Sequence, residues 1–187
     1  MDRDKDQDKK EQLIYLVRRC FFEGMQLGWA SGAKAKDNFP FIGAKGYEFK
    51  PSRDLHTRDF SFTNFRLIDY FVVNPESKIS CGNTLITHDG NPVWAMQYSG
   101  RYEEMAIPFL KSVLFSQYSR CNFSGGRGPN SVIETDGRLE YRNNMAQKDF
   151  GYFSGTEEVR IFAPEDEAGH KPYLVIGTHR YSGGLMI

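Results

Sequence analysis

The sequence predicts an α+β domain, mainly antiparallel sheet, with an N-terminal helix and one central helix. Three observations carry this. Apolar residues recur at helical spacing in only two stretches. Elsewhere, short runs rich in Phe, Tyr, Val and Ile alternate with polar residues and are broken by Asp-Gly pairs. Two groups of these strands also resemble each other, which suggests two similar strand units and an internal duplication.

The chain has 187 residues, 40% of them hydrophobic and 26% charged. That composition fits one domain with a core of its own and no need for disulfides or metal. Residues 1–11 (MDRDKDQDKKE) are almost all charged or polar and read as a flexible N-terminus. The single α+β domain is then 12–187. The 24 Lys and Arg balance 24 Asp and Glu, so no net basic charge supports nucleic-acid binding.

From Lys10, the residues Leu13, Leu16, Val17, Cys20, Phe21 and Gly24 form one apolar stripe. Gly28 or Gly32 ends that helix. Residues 31–58 read as a long loop with a short strand near Tyr47–Lys50. Asp59–Leu67 alternates Phe60, Phe62 and Phe65 with polar residues and reads as a strand. Cys81–Thr87 and Pro92–Tyr98 form a hairpin about Asp89-Gly90. Met105–Gln117 reads as the central helix, with Ile107, Leu110, Val113 and Leu114 buried and Pro108 in its first turn. A glycine-rich loop, Cys121–Asn130, comes next. Strands at Ser131–Glu134, Arg138–Arg142, Val159–Ala163 and Tyr173–Tyr181 follow, with an acidic exposed turn at Pro164–Gly169.

The two similar units run from Asp69-Tyr70-Phe71 through Gly82 and Ile86 to Tyr98-Ser99-Gly100, and from Asp149-Phe150 through Gly155 and Val159 to Tyr181-Ser182-Gly183. A duplication would place the two Tyr-Ser-Gly ends about a pseudo-twofold axis, a natural position for a cleft. Hairpins of similar length ending alike by chance are the alternative.

The most site-like segment is Phe123-Ser124-Gly125-Gly126-Arg127-Gly128-Pro129. Its glycines permit close backbone approach to a ligand. Arg127 could fork onto a carboxylate or phosphate, or pin the loop to Asp69, Asp149 or Glu157. The loop lacks the Lys-Ser/Thr ending of a P-loop. Trp94, Met96 and Tyr98 share a strand face, which is either core or an apolar pocket wall with the Tyr98 hydroxyl as a polar handle. His56, His88, His170 and His179 show no metal spacing, and no metal or cofactor is expected. Cys20, Cys81 and Cys121 are odd in number and widely spaced, as reduced thiols in a cytosolic protein are. No apolar stretch suits a signal peptide or membrane span, so a cytoplasmic location is expected. Gly-x-Ser-x-Gly does not occur.

The string Pro92-Val93-Trp94-Ala95-Met96-Gln97-Tyr98-Ser99-Gly100, then Phe109-Leu110-Lys111, Arg127-Gly128-Pro129, Asp149 with Phe153, Gly155 and Glu157, and Tyr181-Ser182-Gly183-Gly184 occur in that order. This set resembles an uncharacterised bacterial domain family, often found behind a helix-turn-helix in chains read as transcriptional regulators. The resemblance covers roughly residues 12–187. It implies a bacterial cytoplasmic protein with a sensing or partner-binding role and carries no established activity. One N-terminal helix stands where the regulators have a helix-turn-helix, so DNA binding is not implied.

Two functions follow. One is a binding module without catalysis, for a small anionic ligand or a protein partner. Arg127 would anchor the ligand, Trp94, Tyr98 and Tyr181 would line the site, and Asp69 and Glu157 are further candidate ligand-binding residues. The other is a hydrolase or transferase using Asp69, Asp149 or Glu157, with Arg127 stabilising charge. The lack of a catalytic constellation favours the first. A homodimer through an exposed sheet edge is a third, structural role.

Overall fold

The structure is a computed structural model that describes residues 2–165, 169 and 171–187, with side chains from residue 5 onward. Among the described residues, nine strands form one antiparallel sheet in the order β1-β2-β3-β4-β5-β9-β8-β7-β6. They are β1 Lys36–Asp37, β2 Lys45–Phe49, β3 Phe65–Val73, β4 Ile79–His88, β5 Asn91–Tyr102, β6 Ser131–Ile133, β7 Leu139–Asp149, β8 Tyr152–Phe162 and β9 Tyr173–Leu185. Two helices, α1 Asp2–Leu27 and α2 Ile107–Ser119, pack against this sheet. The α+β class and both helices agree with the sequence reading.

α1 buries Leu16, Val17, Cys20, Phe21 and Met25, the stripe its periodicity implies. Gly24 lets the helix lie directly on the sheet, since a Cβ there would sit 2.8 Å from Leu67 Cδ1 and 3.2 Å from a Phe49 ring carbon. Gly28 closes α1, and Gly32 ends the following 3-10 turn at φ 79°, a conformation glycine adopts freely. The helix begins at Asp2 rather than Lys10. Once the apolar turns are docked, adding charged residues to a formed helix costs little. Gln7 bonds Glu11 within it, and Arg58 pairs with Asp8.

Several strand boundaries differ from expectation. The aromatic run Asp59–Leu67 is not a strand before Phe65: Phe62–Asn64 is a 3-10 turn, and Phe62 and Phe65 are buried from it. Their separation by three residues matches the 3-10 period. Residues 143–149 and 152–158 extend β7 and β8 well beyond the predicted runs. Those stretches are polar, so they lack the apolar alternation that marks strands. Asp89-Gly90 does form a two-residue turn with both φ positive, 50° and 81°, as a type I′ hairpin needs. His170 and residues 166–168 of the predicted acidic turn lie outside the described residues.

The two strand units share one strand order. β3-β4-β5 and β7-β8-β9 are both meanders, and they meet where β5 pairs with β9. Tyr98 lies directly opposite Tyr181 in that pairing, so the two Tyr-Ser-Gly ends do face each other. Gly82 is the β4 partner of Tyr98, and Gly155 is the β8 partner of Tyr181. Each glycine lies under its tyrosine ring: a Cβ would come within 2.5 Å of Tyr98 Cζ at Gly82 and 2.6 Å of Tyr181 Cζ at Gly155. The register corrects one equivalence. Asp69 corresponds to Asn143, not to Asp149, because each sits two residues before the strand partner of its glycine. Asp149 is exposed at the end of β7, where Oδ1 accepts from the Gly151 amide at 2.6 Å.

Candidate functional site

The helix-facing side of the sheet carries a polar network built by strand alternation. On β5, Tyr98 and Tyr102 point the same way as Trp94 and Met96. On β9, His179 and Tyr181 do so, as do Glu157 on β8 and Asp69 on β3. The glycine-rich loop after α2 brings Arg127 into this network.

That loop is held tightly by protein groups. Asn143 Nδ2 donates to the Ser124 carbonyl at 3.1 Å and to the Gly128 carbonyl at 2.6 Å. Tyr118 donates to the Gly126 carbonyl at 3.0 Å, and the Gly128 amide donates to Tyr141 Oη at 2.9 Å. Gly125 and Gly126 have φ of 63° and 72°. Cβ atoms there would meet Tyr181 Cε2 at 2.6 Å and Met96 Sδ at 2.7 Å. The close approach that these glycines permit is therefore to the protein's own side chains, not to a ligand.

Arg127 is 6% exposed and Glu157 1% exposed. Arg127 Nε donates to Glu157 Oε1 at 2.8 Å, and Nη2 donates to the same oxygen. Tyr102 donates to Oε1 as well, and Tyr141 donates to Oε2 at 2.6 Å. Burial pushes the Glu157 carboxyl up, but Arg127 and these donors outweigh it and hold the carboxyl below its usual range. Burial likewise opposes the guanidinium charge, and Glu157 more than offsets it. Of the three partners weighed for Arg127 from sequence, Glu157 is the one it pairs with.

Asp69 is different. Its Oδ1 accepts from Thr84 at 2.7 Å and from Tyr98 at 3.1 Å, while Oδ2 has no hydrogen-bond partner among the described residues. Burial raises its pKa above the ordinary aspartate value, against the opposing pull of Thr84, Tyr98 and Arg127. Asp69 and Arg127 form no ion pair with each other.

A cavity of about 280 Å³ opens between these groups and the helices. Asp69, Tyr98, Tyr102, Arg127 and His179 form its polar side. Met25, Trp29, Phe71, Val73, Ile107 and Leu114 are among its apolar walls, and Lys78 and Glu104 also line it. His179 packs between two tyrosines, with centroids 4.4 Å from Tyr102 and 6.0 Å from Tyr98. Its Nε2 lies 3.2 Å from Ser80 Oγ, and its Nδ1 is buried without a partner among the described residues. Burial, then the nearby Arg127, lowers the His179 pKa to about 4, so the ring is neutral at pH 7.

Of the six residues singled out from sequence, Asp69, Tyr98 and Arg127 line the cavity, and Glu157 stands behind Arg127. The other two do not line it. Trp94 is fully buried, stacked on Phe150 and Phe153, and donates Nε1 to the Phe150 carbonyl at 3.1 Å. It is core because the hairpin after β7 folds back over it. Tyr181 lies under Gly125 and donates to Asn143 Oδ1. Tyr102 and Tyr118 were not singled out. Tyr102 shares the face of Tyr98 two alternations further along β5, and that spacing is its signal in the sequence. His179 had a weaker signal, two residues before Tyr181.

No helix among the described residues is long and apolar enough to cross a membrane, and no group of three or more His, Cys, Asp or Glu among them could hold a metal ion. Comparisons with known protein families, with curated proteins and with solved structures find no match.

Proposed function

We propose that this chain is a binding module for a small, largely apolar molecule, without catalysis. One observation carries the reading: a cavity of about 280 Å³ with apolar walls that also presents three nearly buried polar side chains, Asp69, Arg127 and His179. Pockets with mostly hydrophobic walls and a few convergent polar groups are the usual form of small-molecule sites. The resemblance to a domain of regulatory chains supports a sensing role, and the three free cysteines fit a reducing, cytoplasmic setting. Paired-carboxylate catalysis has less support, since Glu157 is 1% exposed, is engaged by Arg127, Tyr102 and Tyr141, and does not line the cavity beside Asp69.

The test is titration with N-phenyl-1-naphthylamine, a neutral fluorophore that brightens in apolar surroundings. The wild type is expected to enhance its emission saturably. Ile107→Trp, placed in the cavity wall, is expected to abolish the enhancement while circular dichroism stays unchanged. Equal enhancement by both proteins, or none by the wild type, would refute the reading.

A further inference from the structure

We infer that the cavity selects a neutral planar heterocycle bearing an amide edge, with N–H directed to Asp69 and C=O to Arg127. This rests on the binding-module reading above.

Both groups are more than nine-tenths buried and both line the cavity. Each also has a polar atom left over. Asp69 Oδ2 accepts no hydrogen bond, and Arg127 Nη1 donates none, among the described residues. Neither atom is fully buried as His179 Nδ1 is, and both side chains line the cavity. The two side chains do not satisfy one another. A group that donates on one side and accepts on the other completes both, and an amide H–N–C=O edge does so with donor and acceptor on adjacent atoms in the plane of a flat ring. A ligand that covers these atoms without pairing them leaves them unsatisfied, so one that pairs both gains selectivity over one that cannot.

Charge favours a neutral ligand. The guanidinium is already compensated by Glu157. An anion would add negative charge beside Asp69 and Glu157, and a cation would meet Arg127. The ligand therefore differs from the anionic one that the glycine-rich loop suggests in sequence. The surrounding rings of Trp29, Phe71, Tyr98, Tyr102 and Tyr118 favour a flat, aromatic body.

The experiment compares three molecules of one bicyclic shape on the wild-type chain. They are 2-quinolone, with a free amide edge; N-methyl-2-quinolone, with its donor blocked; and naphthalene, with no edge. Affinity is read by displacement of N-phenyl-1-naphthylamine and by direct calorimetry. The expected result is 2-quinolone binding at least tenfold more tightly than either comparator. Binding of all three within threefold would overturn the amide-edge assignment and leave the binding module standing. Failure of all three by both methods would overturn both. Asp69→Asn, whose Oδ1 still accepts from Thr84 and Tyr98, is expected to reduce the preference to below threefold. A retained tenfold preference in that variant would remove Asp69 from the site. Should the variant not fold, the wild-type series decides alone.

Discussion

Tyr98 and Tyr181 lie opposite each other across the β5–β9 junction, and each sends its hydroxyl to the side chain at the matching position of its own strand unit. Tyr98 donates to Asp69, and Tyr181 donates to Asn143. One frame thus serves two ends. Asn143 fastens the glycine-rich loop, while Asp69 keeps an oxygen for the cavity. The difference of a single side-chain group, amide against carboxylate, separates the half that holds the loop from the half that lines the cavity.

The glycine beneath each tyrosine makes that frame. In Gly155→Ala the new methyl meets the Tyr181 ring and the Asn144 carbonyl at 2.8 Å. Overpacking of this kind costs about 1–3 kcal/mol. Urea unfolding of the variant should show a lower midpoint with an unchanged slope. A midpoint equal to that of the wild type would mean the ring moves freely and the frame is loose.

Removing one member of the buried ion pair leaves the other uncompensated. Arg127→Met is expected to destabilise by about 3–5 kcal/mol. Adding Glu157→Gln should restore part of this, because the stranded charge is gone. Chemical denaturation of both variants checks it. A double variant less stable than Arg127→Met would show that the tyrosine donors, not Arg127, are what keep Glu157 ionised.

His179 makes the fold sensitive to acid. Its pKa falls from 6.5 to about 4 on folding, so between those values the unfolded chain binds more protons. Stability is then complete above about pH 6.5 and is lost as pH falls toward 4, by up to about 3 kcal/mol. Asp69 acts in the opposite sense, since its raised pKa makes the folded state take up a proton first. Glu157, held low, contributes above its unfolded pKa and loses that contribution only as pH falls through its folded one. His179→Phe keeps the ring between Tyr98 and Tyr102 and removes only the histidine contribution. The wild type should therefore lose stability relative to this variant between pH 6.5 and 4. Parallel pH profiles for the two proteins would contradict the assignment.

The thiols should divide by burial. Cys81 and Cys121 are exposed, while Cys20 is buried in α1 and burial raises its thiol pKa strongly. Two cysteines are expected to react promptly with a disulfide reagent in the native protein, and the third only after unfolding. Three fast thiols would show that α1 detaches from the sheet on the time scale of the assay.

Local chemistry made much of this protein legible from its sequence alone. The helical stripe through Leu16, Val17, Cys20 and Phe21, the Asp89-Gly90 turn and the shared face of Trp94, Met96 and Tyr98 depend on neighbours a few residues away, and periodicity records them. Even the pairing of Tyr98 with Tyr181 was visible as a repeated Tyr-Ser-Gly. What only the tertiary structure decided is which partner each polar group meets. Asp69 matches Asn143 rather than Asp149 because glycine and tyrosine partners are 26 residues apart in the second unit, Gly155 and Tyr181, and 16 in the first, Gly82 and Tyr98, so a similar Asp-to-Tyr span does not mean the same register. Arg127 chose Glu157, and Trp94 became core, through contacts between residues 30 and 56 positions apart. Burial of a charge is settled by such distant neighbours, so the cavity, and the place of Asp69 in its lining, exist only once the sheet is assembled.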